Sequence, residues 1–177
     1  MIILEGPDGS GKTTLINKLS RYLSLPIHPK AVNSQAEVEV DLRVWIEDVL
    51  SRGFQRSLFD RFALISGPIY APILQDEYQL SLYDDHDWFT KVYQQFEAIN
   101  PIVVVCLPYL QNVIRNTRDD PNNEVIAPHI TEIYIQYQVY AARTRPYIYN
   151  YAMEKFTSQD ISRVLSHITA ELIKRGM

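Results

Sequence analysis

Cysteine is nearly missing from this chain: Cys106 stands alone inside an apolar run. Without a second thiol, neither an internal disulfide nor a cysteine metal cluster can form, and the residue reads as a small core side chain. This pattern suits a reducing cytoplasm. Runs of about 18 apolar residues are absent, so no membrane span is expected. The chain opens directly on the strand-like Ile2-Ile3-Leu4 with no basic leader, and no export signal is expected. Basic charge is in deficit, with 17 Lys and Arg against 21 Asp and Glu, a formal net charge of -4. That balance argues against a broad nucleic-acid-coating surface but leaves room for a local cleft that accepts phosphates. The histidines His28, His86, His129 and His167 lack partners at metal-ligand spacing, and Asp84-Asp85-His86-Asp87 reads as a solvated loop.

What is present is ordinary globular material, 46% hydrophobic and 21% charged over 177 residues, enough for a single domain spanning 1–177. Apolar runs alternate with helical stretches, which is the α/β pattern. Strands are expected at Ile2 to Glu5, Leu25 to His28, Ser57 to Asp60, Pro101 to Leu107 and Tyr147 to Ala152. The unalternating PIVVVCL run fits a parallel strand covered on both faces. Helical spacing predicts Thr13 to Leu23, Gln35 to Arg52 (with Val38, Leu42, Trp45, Ile46 and Val49 inward) and His86 to Ile99. It also predicts Arg61 to Leu82, interrupted near Pro68 and Pro72, since proline removes a helical donor. Ile130 to Arg143 carries Ile130, Ile133, Tyr134, Tyr137 and Ala141 on one face. Ile161 to Lys174 closes the chain, capped by Thr157 or Ser158. Trp45 and Trp88 read as packing residues, as do Tyr134, Tyr137 and Tyr140.

The sharpest motif is Gly6-Pro7-Asp8-Gly9-Ser10-Gly11-Lys12-Thr13, which matches G-x-x-x-x-G-K-S/T in full. A strand is expected before it and a helix after it. Glycines let the backbone curl so that successive N–H groups converge on phosphate oxygens. The helix that follows adds its positive end. Lys12 is expected to reach the β- and γ-phosphates of ATP, and the Thr13 hydroxyl to ligate Mg²⁺. The N-K-x-D guanine motif of switch GTPases is missing, because the one Asn-Lys pair, Asn17-Lys18, runs into Leu19-Ser20.

A second constellation, Ser57-Leu58-Phe59-Asp60-Arg61-Phe62, puts an acid and a base at a strand end, where open parallel sheets bind ligands. Asp60 can face Mg²⁺ or the acceptor, and Arg61 can fork onto an acceptor phosphate. Together, Leu4 through Thr13 with Thr14, and Asp60-Arg61-Phe62 followed by Ser66 and Tyr70, resemble the thymidylate kinases. The second segment is similar to that family's D-R-F/Y-x-x-S-x-x-x-Y/F. The resemblance covers about the first 70 residues well and the rest in layout.

It implies a three-layer P-loop kinase fold with a five-stranded parallel sheet and a short mobile lid. It also implies transfer of the γ-phosphate of ATP to a deoxynucleotide-type acceptor. By the same resemblance Asp8 contacts the acceptor's sugar or attacking group, Arg61 its phosphate, and Asp60 Mg²⁺ and its waters. Phe62 and Tyr70 lie beside this motif and are placed to stack on an acceptor base. The family's Phe-Pro-x-Arg-like segment has Ile27-His28-Pro29-Lys30 as its nearest counterpart, so Lys30 stands where an arginine fork would hold the monophosphate. The acceptor therefore stays open among dTMP or another deoxynucleotide, a deoxynucleoside, and a hydroxymethylpyrimidine in DNA. The compact chain suits a phage-borne relative working in a host cytoplasm.

Residues 108–128 form the expected lid, where Arg115 and Arg118 are candidates to neutralise charge on the transferring phosphoryl group. Arg143 and Arg145 face either this cleft or the helix C-terminus. The helix Ile130 to Arg143 is a candidate homodimer surface. A nucleotide-binding module without catalysis is the non-enzyme rival, and intact Lys12, Thr13, Asp60 and Arg61 speak against it.

Overall fold

The computed structural model describes residues 1–28, 41–53, 56–151 and 159–176, without the side chains of 159 and 160. Lys30, Val38 and the proposed caps Thr157 and Ser158 lie outside the described residues. In chain order the elements are β1 (Ile2–Glu5), α1 (Lys12–Leu23), β2 (Ile27–His28), α2 (Leu42–Arg52), β3 (Leu58–Asp60), α3 (Ala63–Leu74), α4 (Glu77–Asp84) and α5 (His86–Ile99). There follow β4 (Ile102–Cys106), α6 (Leu110–Arg118), α7 (Ile130–Thr144), β5 (Tyr147–Tyr149) and α8 (Gln159–Lys174).

The five strands form one sheet in the order β2-β3-β1-β4-β5. Every pairing is parallel, with Leu4 level with Asp60 and Val104, and Cys106 level with Tyr149. The side chains of β1 alternate between layers. Ile3 packs with Ile46, Phe59, Phe62 and Phe96 beneath α2, α3 and α5. Ile2 and Leu4 pack with Leu15, Leu19, Val164 and Ile168 of α1 and α8. A third cluster joins Val105 of β4 to Val113, Ile133 and Tyr137 of α6 and α7. The chain leaves β1 toward β2 and leaves β4 toward β5, in opposite directions. Such a divergence opens a crevice at the carboxyl end of the sheet.

Several sequence expectations change. Of the helix expected over Gln35 to Arg52, residues 35–40 lie outside the described ones, and α2 starts at Leu42, where the Asp41 carboxylate accepts the N–H groups of Arg43 (2.9 Å) and Val44 (3.4 Å). Pro68 and Pro72 do not interrupt α3, which runs through both. The two prolines are exposed and lie four residues apart. Both rings meet solvent from among the buried Leu64, Ile65, Ile69 and Ala71, so neither proline has to fit into the core packing. The break falls instead at Gln75 in the left-handed region (φ 54), after which Asp76 caps α4 by accepting from Gln79 N (3.0 Å). Asp84 to Asp87 is not a loop: Asp84 ends α4, and Asp85 caps α5 and pairs with Arg43 at 2.7 Å. The segment 108–128 holds α6 and two short 3-10 turns, Pro121–Asn123 and Ala127–His129.

Candidate active site

The phosphate loop lies between the last residue of β1 and the first of α1, at the mouth of the crevice. Gly6 adopts φ 136, and a Cβ there would sit 2.5 Å from the Cys106 carbonyl oxygen, so only glycine lets the loop turn this close to β4. No side chain caps α1, and its first turn carries no acid. Its leading N–H groups are therefore left to an anion. Lys12 is buried, and its ammonium donates to the Pro7 carbonyl at 2.7 Å. Burial, aided by the Arg61 charge, lowers its pKa to about 8 against the opposing pull of Asp8 and Asp60. The Ser10 hydroxyl is buried without a hydrogen-bond partner among the described residues. A buried hydroxyl left without a partner in this loop fits a phosphate oxygen as its missing acceptor. Thr13 and Thr14 expose their side chains at the start of α1.

Across the crevice, Asp60 is buried at the end of β3. Thr13 and Asp60 carry the hard oxygen donors that could hold Mg²⁺, an ion that takes one or two protein oxygens and shares phosphate oxygens and water. Arg61 follows at φ 70. Its Nη2 reaches Asp8 Oδ1 at 2.8 Å, the Tyr70 hydroxyl at 2.6 Å and the Gly6 carbonyl at 3.4 Å. Tyr70 in turn donates to Asp8 Oδ2 at 2.8 Å. Burial would raise the Asp8 pKa, but the charges of Arg61 and Lys12 and these hydrogen bonds hold it down at about 2. Asp8 is thus a firm anion, and Arg61 is turned over the loop.

Two neighbours in the motif diverge from expectation. Phe62 has no exposed surface; its ring stacks on Phe96, with centroids 5.3 Å apart. A ring sealed in the core cannot stack on an acceptor base, so Phe62 is a packing residue. Tyr70 is also mostly buried, and its hydroxyl serves Asp8 and Arg61. Ser66 donates to the Phe62 carbonyl at 3.2 Å. Arg115 and Arg118 are exposed on α6.

Residues not anticipated complete the site. Between the two lid arginines, Asn116 donates to the Gly9 carbonyl (2.9 Å) and the Tyr151 hydroxyl (3.0 Å), and the Thr117 hydroxyl lies within bonding distance of the Asp8 carbonyl (3.0 Å) and the Val113 carbonyl (2.8 Å), which share its one proton. Glu5, fully buried, accepts Phe62 N–H at 2.7 Å and the Tyr137 hydroxyl at 2.8 Å. Burial pushes its pKa up to about 7, despite those two bonds and the charges of Arg61 and Lys12. Glu5 lies in the Leu4-to-Thr14 segment that carries the family resemblance and ends an otherwise apolar strand, but no short-range pattern pairs it with Phe62 or Tyr137. Tyr137 looked like core because it is core, with its hydroxyl put to polar use.

No family model matches the chain, and no curated protein matches it significantly in sequence. Solved structures do match. The YorR protein of Bacillus subtilis, in complex with phosphorylated GDP, superposes with a TM-score of 0.65 at 22% identity, covering 98% of this chain and 97% of that one. The chain has the P-loop kinase fold. Deoxyadenosine kinase from M. mycoides superposes with a TM-score of 0.58 at 15% identity in its form with dCMP and dCDP, covering 96% of this chain and 98% of that one. With bound dATP the same kinase gives 0.60 at 13% identity, covering 95% and 98%. Among the described residues, no helix is long and apolar enough to cross a membrane.

Proposed function

We propose that this protein is an ATP-dependent phosphotransferase that moves the γ-phosphate of Mg-ATP to a deoxynucleotide-type acceptor, in the manner of thymidylate kinases. One observation carries the reading: a complete phosphate loop whose own Asp8 meets Arg61 across the crevice at 2.8 Å. Loop amides, Lys12 and the open end of α1 bind the triphosphate. Thr13 and Asp60 would hold Mg²⁺, which neutralises phosphate charge when bound. Arg61 receives the acceptor, with Asp8 beside it to accept a hydrogen bond from a sugar hydroxyl. Arg115 and Arg118, on the helix that touches the loop through Asn116 and Thr117, supply further positive charge to a closing lid. Such groups act by position and charge, which is most of what phosphoryl transfer needs. Lys30 and Ser66 remain candidates for the acceptor pocket.

A deoxynucleoside acceptor is the second reading, favoured by the likeness to a deoxyadenosine kinase. Incubation with γ-labelled ATP and, in parallel, deoxynucleoside monophosphates, deoxynucleosides and DNA containing hydroxymethylpyrimidine tests all three acceptor classes. Label in a deoxynucleoside diphosphate supports the first reading, and label in a monophosphate the second. Label in DNA would replace both. Tight ATP binding with no transfer at all would leave a silent nucleotide-binding module.

A further inference from the structure

Arg61 is held in a backbone conformation that arginine does not choose by itself. Its φ of 70 lies in the left-handed region, which is unfavourable for a residue with a Cβ. The two peptide groups flanking its Cα are each tied to β1. Arg61 N–H donates to the Leu4 carbonyl at 2.9 Å, and Phe62 N–H donates to the Glu5 carboxylate at 2.7 Å. Consecutive residues of one strand thereby pin both sides of one residue after another strand. From that posture the guanidinium turns back over the phosphate loop to Asp8, Tyr70 and the Gly6 carbonyl. The second Glu5 oxygen takes the Tyr137 hydroxyl of α7 at 2.8 Å, so the carboxylate is fixed from two sides.

The geometry points to Glu5 as a positioning residue for Arg61: its carboxylate anchors the Phe62 amide and so aims the arginine at the acceptor side of the loop. Glu5 is sealed from the crevice surface and acts through the backbone that follows Arg61. This extends the kinase reading above and rests on it for the identity of what Arg61 receives. A purely structural acid would weaken both substrates together, whereas an anchor for Arg61 affects the acceptor selectively.

The test is two-substrate kinetics on Glu5→Ala, Glu5→Gln and Glu5→Asp, with ATP affinity measured separately by calorimetry. Glu5→Ala is expected to raise the acceptor KM roughly 10- to 100-fold, the effect of losing a hydrogen bond to a charged group. ATP affinity should move less than about threefold, since the loop itself is untouched. Glu5→Gln keeps a carbonyl oxygen for Phe62 N–H and should recover most of the acceptor KM. Should the alanine variant fail to fold, Glu5→Asp retains the charge but falls one methylene short of Phe62, and the same selective rise is expected. Equal losses for both substrates, or an unchanged acceptor KM in whichever of Glu5→Ala and Glu5→Asp folds, would overturn the assignment. If the wild type transfers phosphate to no acceptor, the kinase reading falls while the anchor can still be judged. NMR of the Arg61 guanidinium then decides it: exchange-protected Nη protons should be lost in Glu5→Ala, and their persistence would overturn the anchor.

Discussion

The two cations of the site are held in opposite ways. Lys12 rests on a neutral carbonyl five residues back in its own loop, at Pro7. Arg61 is paired with a carboxylate 2.8 Å away, crossed by a tyrosine hydroxyl, and fixed in its backbone by β1. A neutral carbonyl competes weakly for an ammonium, so an incoming triphosphate can displace it readily. An ion pair between largely buried groups is harder to replace, because each partner left alone in a poorly solvated place is penalised. On the proposed kinase reading, the donor side is thus poised to exchange its partner, and the acceptor side is set in advance. An acceptor that satisfies Asp8 with a hydroxyl and Arg61 with a phosphate keeps both charges compensated. That requirement is itself a selectivity filter.

The largest effect should come from the side that exchanges. Lys12→Ala is expected to lower turnover about a thousandfold, the scale of losing one charge-stabilising group. Its thermal midpoint should hold or rise, since a buried ammonium is removed; an unchanged rate breaks the donor half of the comparison. Next, Arg61→Ala should lower kcat/KM for the acceptor by roughly 100-fold. It should also destabilise the fold by on the order of 1–3 kcal/mol, because Asp8 is left without its cation. Arg61→Lys is expected to recover little, as an ammonium cannot reach Asp8, Tyr70 and Gly6 at once. Equal stability losses in the Lys12 and Arg61 variants would erase the distinction.

A third test uses protons. Glu5 has a folded pKa of about 7 against an ordinary 4.5, so the folded protein binds its proton more tightly than the unfolded chain does. Its stabilising contribution is full below about pH 4.5 and is lost as pH rises through 7, on the order of 3 kcal/mol in all. Asp8 runs the other way: with its folded pKa at about 2 against 3.8, its contribution is present above pH 4 and lost as pH falls through 2. The buried amino terminus, lowered to about 6, titrates in the same range as Glu5 with opposite sign. The clean reading is therefore the stability of wild type minus that of Glu5→Gln. This difference should fall between pH 4.5 and 7; a flat difference breaks the account. The smallest effect is expected from Asn116→Ala, which removes bonds to Gly9 and Tyr151. A loss of about 0.5–1.5 kcal/mol in stability and a few-fold weaker ATP binding should follow, with acceptor KM unchanged.

Legibility differed along the same divide. The phosphate loop could be read because its ligands are successive backbone amides, and adjacency in sequence is adjacency in space. The helix α5 and the inward face of α7 followed from apolar periodicity, which burial on one side enforces, and β1 from a short unbroken apolar run, which burial on both faces produces. Phe62 was misjudged because motif position says where a residue lies along the chain, and only the packing of α5 shows that its ring points into the core. The prolines of α3 run against local propensity, which the burial of the helix around them overrides. The Glu5–Tyr137 bond joins residues 132 positions apart, and the Asp8–Thr117 contact joins residues 109 apart. No short-range pattern records such pairs.

By itself, then, the sequence determined the α/β alternation, the loop and the identity of its cation, since these depend on neighbours a few residues away. The tertiary structure alone decided where Arg61 aims, what charge state Asp8 and Glu5 favour, and which aromatic rings are closed to a ligand. Those properties come from desolvation and from partners brought together across the sheet, and both exist only once the chain has folded.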